Sequence, residues 1–222
     1  MVIYLLRHGM TAWNYEYRIQ GATDIPLHEV GIKMAEETGK ALAKEGVVFD
    51  TVYSSPLIRA VQSAKIVSGR DDIVTDERLR ELSFGVLEGL KVTEMKNKEE
   101  SPFRYFKERP DLYEEAIKKE PSIETLSALC KRAADFCTDF IEEHPKTDGT
   151  VLISAHGALN QAILMHMRRD NDIANFWKGQ LMPNCGIHII HYDPAKKEYS
   201  MLCPSQRFYS DELYKIAPVL LK

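Results

Sequence analysis

No stretch of the 222-residue chain approaches the ~20 consecutive apolar residues that a membrane helix requires, which argues against a spanning segment. The apolar run at the start breaks at Arg7 and has the wrong flanks for a secretory leader, so a cytoplasmic location is expected. Charge of one sign is scarce as well. A net charge of −4 supplies neither a basic field for nucleic acid nor a polybasic membrane patch. No zinc-finger, RRM or helix-turn-helix pattern occurs. Cysteine is limited to Cys130, Cys137, Cys185 and Cys203, with no CxxC pair. Cys130 and Cys137 fall on one expected helix at a rise of roughly 10 Å, beyond the ~7 Å between Cα atoms that a disulfide tolerates. Buried, reduced thiols are the expectation. The glycine-rich dinucleotide fingerprint and the P-loop are both missing, which weighs against a nucleotide-binding Rossmann protein.

What remains is a chain of ordinary hydrophobic content, 44%, with alternating strand and helix signals. Residues 2–6 are a β-branched and aromatic run that reads as a buried strand. Residues 9–28 have no period and contain Gly21 and Pro26, so a loop is expected. Residues 29–45 read as a helix with Val30, Met34, Ala41 and Leu42 inward and Gly46 as its stop. A strand at 49–54 is followed by Pro56 opening a helix to about Val67, and 73–75 is a short strand candidate. The clearest amphipathic helix spans 122–142, with Leu126, Leu129, Ala133, Phe136 and Phe140 on one face. Further strands are expected at 151–155, 187–192 and 199–203. Such alternation predicts a three-layer α/β/α sandwich, a mostly parallel sheet covered by helices on both faces. At this length one domain over 1–222 is the simplest division.

One segment breaks the rhythm. Residues 91–120 carry eight basic and eight acidic side chains around Phe103, Tyr105, Phe106 and Tyr113. It reads as a helical excursion from the core, leaning over a site; a solvated surface helix pair is the plain alternative. The tail from Ser205 to Lys222 holds Phe208, Tyr209, Leu213, Tyr214 and an apolar stretch at 219–221, suited to packing on the core or on a second subunit of a homodimer.

Two strands end in the same way, in Leu6-Arg7-His8-Gly9 and Ala155-His156-Gly157. In open α/β sheets ligands bind at the carboxyl ends of strands, and glycine after each histidine lets backbone come close to a ligand, Gly157 in particular. A helix after His156 would present amide donors to an anion. Arg59, one turn into its helix, and Arg7 would add two guanidinium forks, whose geometry matches phosphoryl oxygens. Separately each arginine is an ordinary surface ion pair; together the four make a cationic pocket that needs no metal. A leaving alkoxide would need a proton, and Glu81 is the candidate acid.

These residues carry a resemblance. Arg7-His8-Gly9 with Asn14, Arg18 to Gly21, Ser54-Ser55-Pro56-Leu57 with Arg59, Glu81 with Phe84-Gly85 and Glu88-Gly89, and Ala155-His156-Gly157 resemble the histidine phosphatase superfamily, which includes the cofactor-dependent phosphoglycerate mutases. The resemblance implies a phosphohistidine formed on His8, with the opposite ring nitrogen held so that the tautomer is fixed. Arg7, Arg59 and His156 would clamp the phosphoryl oxygens, Asn14 and Gln20 would add phosphate contacts, and Glu81 would serve the leaving group and then water. The mutases resemble Ala-His-Gly-Asn-Ser-Leu-Arg at the second histidine, whereas this chain has Ala155-His156-Gly157-Ala158-Leu159-Asn160-Gln161. They also carry paired arginines in the excursion, where this chain has scattered Arg104, Lys107 and Arg109 among aromatics. The implied activity is hydrolysis of a small phosphate ester without metal or cofactor. A phosphoglycerate mutase and a non-catalytic phospho-ligand module are the alternatives. The aromatics at 103–113 hint at an apolar or ring-containing leaving group. His188 and His191 lie three apart in a strand and face opposite sides; His28, His166 and Asp71-Asp72 read as structural or solvated.

Overall fold

A computed structural model describes residues 1–143, 149–178 and 181–216. The chain runs through β1 (Val2–Arg7), α1 (Ala12–Tyr15), α2 (Glu29–Lys44), β2 (Thr51–Ser54), α3 (Ile58–Ser68) and β3 (Val74–Thr75). It then leaves the sheet for α4 (Val92–Asn97), α5 (Pro110–Ile117) and α6 (Leu126–Cys137). It returns through β4 (Thr150–Ala155), α7 (Gly157–Met167), β5 (Ile187–Asp193), β6 (Glu198–Gln206) and α8 (Asp211–Ile216).

The six strands lie in the order β3-β2-β4-β1-β5-β6. The first three pairings along that order are parallel, and β5 runs antiparallel to both β1 and β6. The sheet is therefore mixed, with a parallel core. Strand alternation decides the layers. Ile3 and Leu5 of β1 join Val151 and Ile153 of β4 in a core under α6, α7 and the excursion. Leu6 and Leu152 face the other way, onto Met34, Ala35 and Leu42 of α2 and Ala64 and Val67 of α3. The expected three-layer sandwich is what the chain forms.

Several boundaries differ from expectation for local reasons. The unpatterned stretch 9–28 contains α1, a one-turn helix fixed by a capping box between Thr11 and Asn14 rather than by apolar period. The strand expected from 49 begins at Thr51. The long helix expected over 122–142 is α6 followed by a π-helical turn at Thr138–Glu142. That wider turn carries Glu142 to His166 Nε2 at 2.7 Å and to the Tyr199 hydroxyl at 2.8 Å. His28 caps α2, its Nδ1 accepting from the Val30 amide at 3.3 Å. All four cysteines are free thiols.

The excursion is not a solvated pair. Phe103, Phe106, Tyr113 and Ile117 are buried in the same core as β1 and β4. The tail packs on the body through Tyr209 and Leu213, on the α2–α3 side; the apolar stretch 219–221 lies outside the described residues. Among the described residues no helix is long and apolar enough to cross a membrane.

Candidate active site

Strand register brings the two histidines together. Arg7 pairs with Ala155 across the parallel β1–β4 ladder, and the His8 amide donates to the Ala155 carbonyl at 2.9 Å. The residues that follow, His8 and His156, therefore leave the sheet side by side, with ring centroids 5.1 Å apart. Beneath them β1 exits directly against α2, where a side chain has no room: a Cβ on Gly31 would lie 2.1 Å from the Met10 carbonyl oxygen.

His8 Nδ1 lies 2.7 Å from the Gly9 carbonyl oxygen. A carbonyl only accepts, so Nδ1 carries the proton and Nε2 the lone pair. Burial, and then the charges of Arg59 and Arg7, hold the His8 pKa well below the ordinary imidazole value. The ring is thus neutral at pH 7, and its Nε2 is chemically competent as a nucleophile. His156 is also held well below that value, by burial first and then by Arg59 and His8. It differs in one respect: both of its ring nitrogens are buried without a protein partner.

The two arginines are buried and tethered. Arg7 donates from Nη1 to the Met182 carbonyl at 2.6 Å. Arg59, 0% exposed, donates from Nη1 to the Thr23 carbonyl at 2.8 Å and from Nη2 to the Gly21 carbonyl at 2.7 Å. Burial pulls its pKa down to about 10, so it remains a cation at neutral pH. The Nε of each arginine is buried without a partner. Ser63 joins the parts, accepting from the Gly9 amide at 2.9 Å and donating to the Arg59 carbonyl at 2.7 Å.

The amide donors of α7 do meet an anion, and it is one the chain supplies. Glu81 Oε2 accepts from the Ala158 amide at 3.1 Å, and Oε1 from the Leu159 amide at 3.0 Å. A carboxylate at a helix N-terminus is favoured by the same dipole that would draw a phosphate. The approach does not depend on glycine at 157: a Cβ there would make ordinary contacts of 3.6 Å with Glu81 Oε2 and 3.7 Å with Arg7 Nε, and its tightest neighbour would be the Leu181 side chain at 3.2 Å.

Arg7, His8, Asn14, Gln20, Glu81 and Gly157 all line one cleft of about 560 Å³. Arg59 and His156 are fully buried and do not line it, although the His156 ring lies 5.1 Å from that of His8, which does. Asn14 Oδ1 accepts from the Thr11 amide and from Asn184 Nδ2; Gln20 Oε1 accepts from the Thr11 hydroxyl at 2.8 Å. The rest of the lining is mostly apolar, Phe84, Val92, Phe103, Phe106, Trp177 and Leu181, with Arg18 as a further cation, tied to Glu16 and to the Gly89 carbonyl. Its aromatics are interlocked, with Phe106 at 5.1 Å from Phe103 and 5.2 Å from both Phe84 and Trp177. The excursion's Arg104 and Arg109 turn elsewhere, to the Glu99 carbonyl and to Asp111. Of the departures at 158–161, only Ala158 reaches the cleft; Asn160 and Gln161 are buried in α7.

Three residues without an expected role hold the site. Asn184 Nδ2 donates to the His8 carbonyl at 3.1 Å, from beyond a gap of 176 positions. Arg132 on α6 donates to the Arg78 and Glu81 carbonyls at 2.7 and 3.1 Å, fixing the loop that carries the acid. Glu88 ties the Phe84 amide to those of Ala22 and Thr23. Glu88 was visible as part of a motif. Arg132 and Asn184 had no local signal, because their partners are backbone atoms far away in sequence.

A parallel-cored α/β sheet that gathers guanidinium and imidazole groups near two neighbouring strand ends has the donor chemistry to hold an oxyanion. The chain belongs to the histidine phosphatase superfamily (branch 1), whose family model matches residues 3–203. It is 31% identical to a 2,3-bisphosphoglycerate-dependent phosphoglycerate mutase of Elusimicrobium minutum over 86% of each chain. Among solved structures, Bacillus stearothermophilus YhfR superposes with a TM-score of 0.80 at 30% identity, over 94% of this chain and 99% of that one. A phosphoserine phosphatase of Entamoeba histolytica shares the fold, with a TM-score of 0.74 at 23% identity over 94% of this chain and 99% of its own. The family comprises phosphatases and mutases, so the chain is an enzyme of one of these two kinds.

Proposed function

We propose that the chain is a metal-independent phosphomonoesterase that hydrolyses a small phosphate ester through a phosphohistidine on His8. Residues 1–222 act in this reading as one catalytic domain, with 91–120 as its roof. The observation that carries it is the His8 ring, neutral and proton-locked at Nδ1 against the Gly9 carbonyl, beside buried donors on Arg7, Arg59 and His156 that have no protein partner. Buried polar atoms are almost always satisfied, and a phosphoryl group would satisfy several of these at once.

In the first step His8 Nε2 attacks phosphorus, the bond from phosphorus to the ester oxygen breaks, and the departing alkoxide takes the proton that the bound monoanionic ester has passed to Glu81. Arg7, Arg59 and His156 hold the three non-bridging oxygens and offset the charge that gathers there. In the second step water attacks the phosphohistidine and gives a proton to Glu81, which passes it to the departing phosphate. The N–P bond breaks, returning neutral His8 and inorganic phosphate.

A mutase reading is favoured by one observation, the 31% identity with a phosphoglycerate mutase. Against it stands the apolar wall. A mutase must hold the rest of a doubly charged substrate while it reorients, and Phe103, Phe106 and Trp177 offer no cation for that. The test is incubation with 3-phosphoglycerate and a trace of 2,3-bisphosphoglycerate, beside an aryl phosphate. Steady release of inorganic phosphate, faster from the aryl ester, is expected. Rapid formation of 2-phosphoglycerate without inorganic phosphate would overturn the hydrolase reading.

A further inference from the structure

Arg59 has no access to solvent, and one N–H of each Nη group donates to a loop carbonyl, Nη1 to Thr23 and Nη2 to Gly21. The direction of its remaining N–H donors, Nε–H among them, is thus set by where that three-residue loop lies. One carboxylate holds the loop. Glu88 Oε1 accepts from the Ala22 amide at 2.9 Å and the Phe84 amide at 3.0 Å. Its Oε2 accepts from the Thr23 amide at 2.8 Å and also from the Thr23 hydroxyl. Four donors are the full acceptor capacity of a carboxylate. The Gly21–Ala22 peptide turns its N–H to Glu88 and its carbonyl to Arg59, so this planar group acts as a rigid strut between them. The packing leaves no slack: a Cβ on Gly21 would lie 2.5 Å from Glu88 Oε1 and 2.4 Å from the Leu82 carbonyl oxygen. From the other side Asp24 Oδ1 accepts from the Ile58 amide at 2.7 Å, pinning the same loop to the first turn of the helix that carries Arg59.

We propose that Glu88 is a positioning residue for the phosphoryl site: it orients Arg59 through the 21–23 loop and touches no substrate itself. The inference rests on the phosphoryl-binding role given to Arg59. It has a consequence that opposes simple electrostatics. A negative charge near an anion site weakens anion binding, so neutralising Glu88 without moving anything would tighten phosphate. As a positioning group Glu88 does the reverse. An amide in its place turns an NH₂ toward backbone N–H donors, releases the loop, and lets the guanidinium drift.

The experiment measures the dissociation constant of inorganic phosphate by calorimetry, and aryl phosphate turnover, in wild type, Glu88→Gln, Arg59→Lys and the double variant. Glu88→Gln is expected to weaken phosphate and lower kcat/KM by about tenfold to a hundredfold, the scale of a misplaced positioning group. In the Arg59→Lys background, where the fork that Glu88 aims is already gone, the same change should cost about twofold or less, the non-additivity of coupled sites. Tighter phosphate in Glu88→Gln, or an equal loss in both backgrounds, overturns the proposal. Should Glu88→Gln fail to fold, Thr23→Val removes one of the four donors alone, and a milder loss of the same sign and the same dependence on Arg59 is expected; no loss there overturns it. His8→Ala separates the two readings. Retained hydrolysis in that variant would sink the phosphohistidine mechanism while leaving the phosphate-affinity comparison intact.

Discussion

His8 and His156 are near-copies in sequence and opposites in chemistry. Each ends a parallel strand, each precedes glycine, and their rings lie 5.1 Å apart in the same electrostatic surroundings. Both are held neutral by burial and by Arg59. The difference is one hydrogen bond. The Gly9 carbonyl takes the Nδ1 proton of His8 and so dictates where its lone pair is. No protein group makes that choice for His156, which is therefore able to present an N–H to a phosphoryl oxygen. A single backbone acceptor thus sets the proton of one ring and leaves that of the other open.

The largest effect that tests this contrast is loss of the nucleophile. His8→Ala should lower turnover about 10⁴-fold or more and abolish acid-labile phosphate incorporation into the protein. Equal losses at both histidines would erase the distinction. His156→Ala should cost about 10²- to 10³-fold, as removal of one oxyanion donor does, and His156→Gln, which keeps an N–H, should recover part of it. No such recovery is expected from His8→Gln. Glu81→Gln comes next, and its size should depend on the ester. A loss of about 10²-fold is expected for an alkyl phosphate, whose alkoxide needs a proton, and only a few-fold for p-nitrophenyl phosphate, whose phenolate does not. A uniform loss across esters would remove Glu81 from the leaving-group step.

Acid should then destabilise the fold through the same two rings. An unfolded histidine binds a proton near pH 6.5, whereas His8 and His156 do so only well below it. Above pH 6.5 neither state is protonated and the term vanishes. Below it the unfolded chain holds more protons, and stability falls by up to about 1.4 kcal/mol per pH unit for each ring, until the folded pKa is reached. Urea unfolding at pH 7.5, 6.5 and 5.5 should show the decline, and His156→Asn should flatten it by one ring's share. The smallest effect belongs to the roof. Phe103→Ala should raise KM a few-fold for naphthyl phosphate, in line with about 0.5–1.5 kcal/mol for an aromatic pair, while leaving KM for a small alkyl phosphate nearly unchanged. Identical shifts for both esters would mean that Phe103 is a packing residue only.

Much of this was legible in the sequence because the two strand ends announce themselves. A buried run followed by His-Gly is uninformative alone, but its occurrence at two strand ends points to a ligand site, and the alternation of strands and helices implies the layers. Arg59 could be placed on the first turn after β2, but not its complete burial, since that depends on carbonyls of a loop without period. The break in the 122–142 helix escaped detection for a similar reason. The apolar pattern continues through the π turn, and what changes there is the hydrogen-bond step, which side-chain types do not record. The amide donors of α7 were foreseen, yet not that Glu81 would meet them. Seventy-seven positions separate that acid from the Ala158 amide, and no spacing rule spans such a gap.

The floor under the nucleophile comes from the other end of the chain. Arg7 is tethered to the Met182 carbonyl, the Cys185 amide donates to the Arg7 carbonyl at 3.0 Å, and Asn184 holds that of His8. On the ribosome these 175 intervening positions take roughly 10–35 s to make at about 5–20 residues per second. For that interval His8 exists without the groups that fix its backbone and its neighbouring cation. In the phosphohistidine reading, a chain cut before residue 182 lacks these tethers and should take up no acid-labile phosphate.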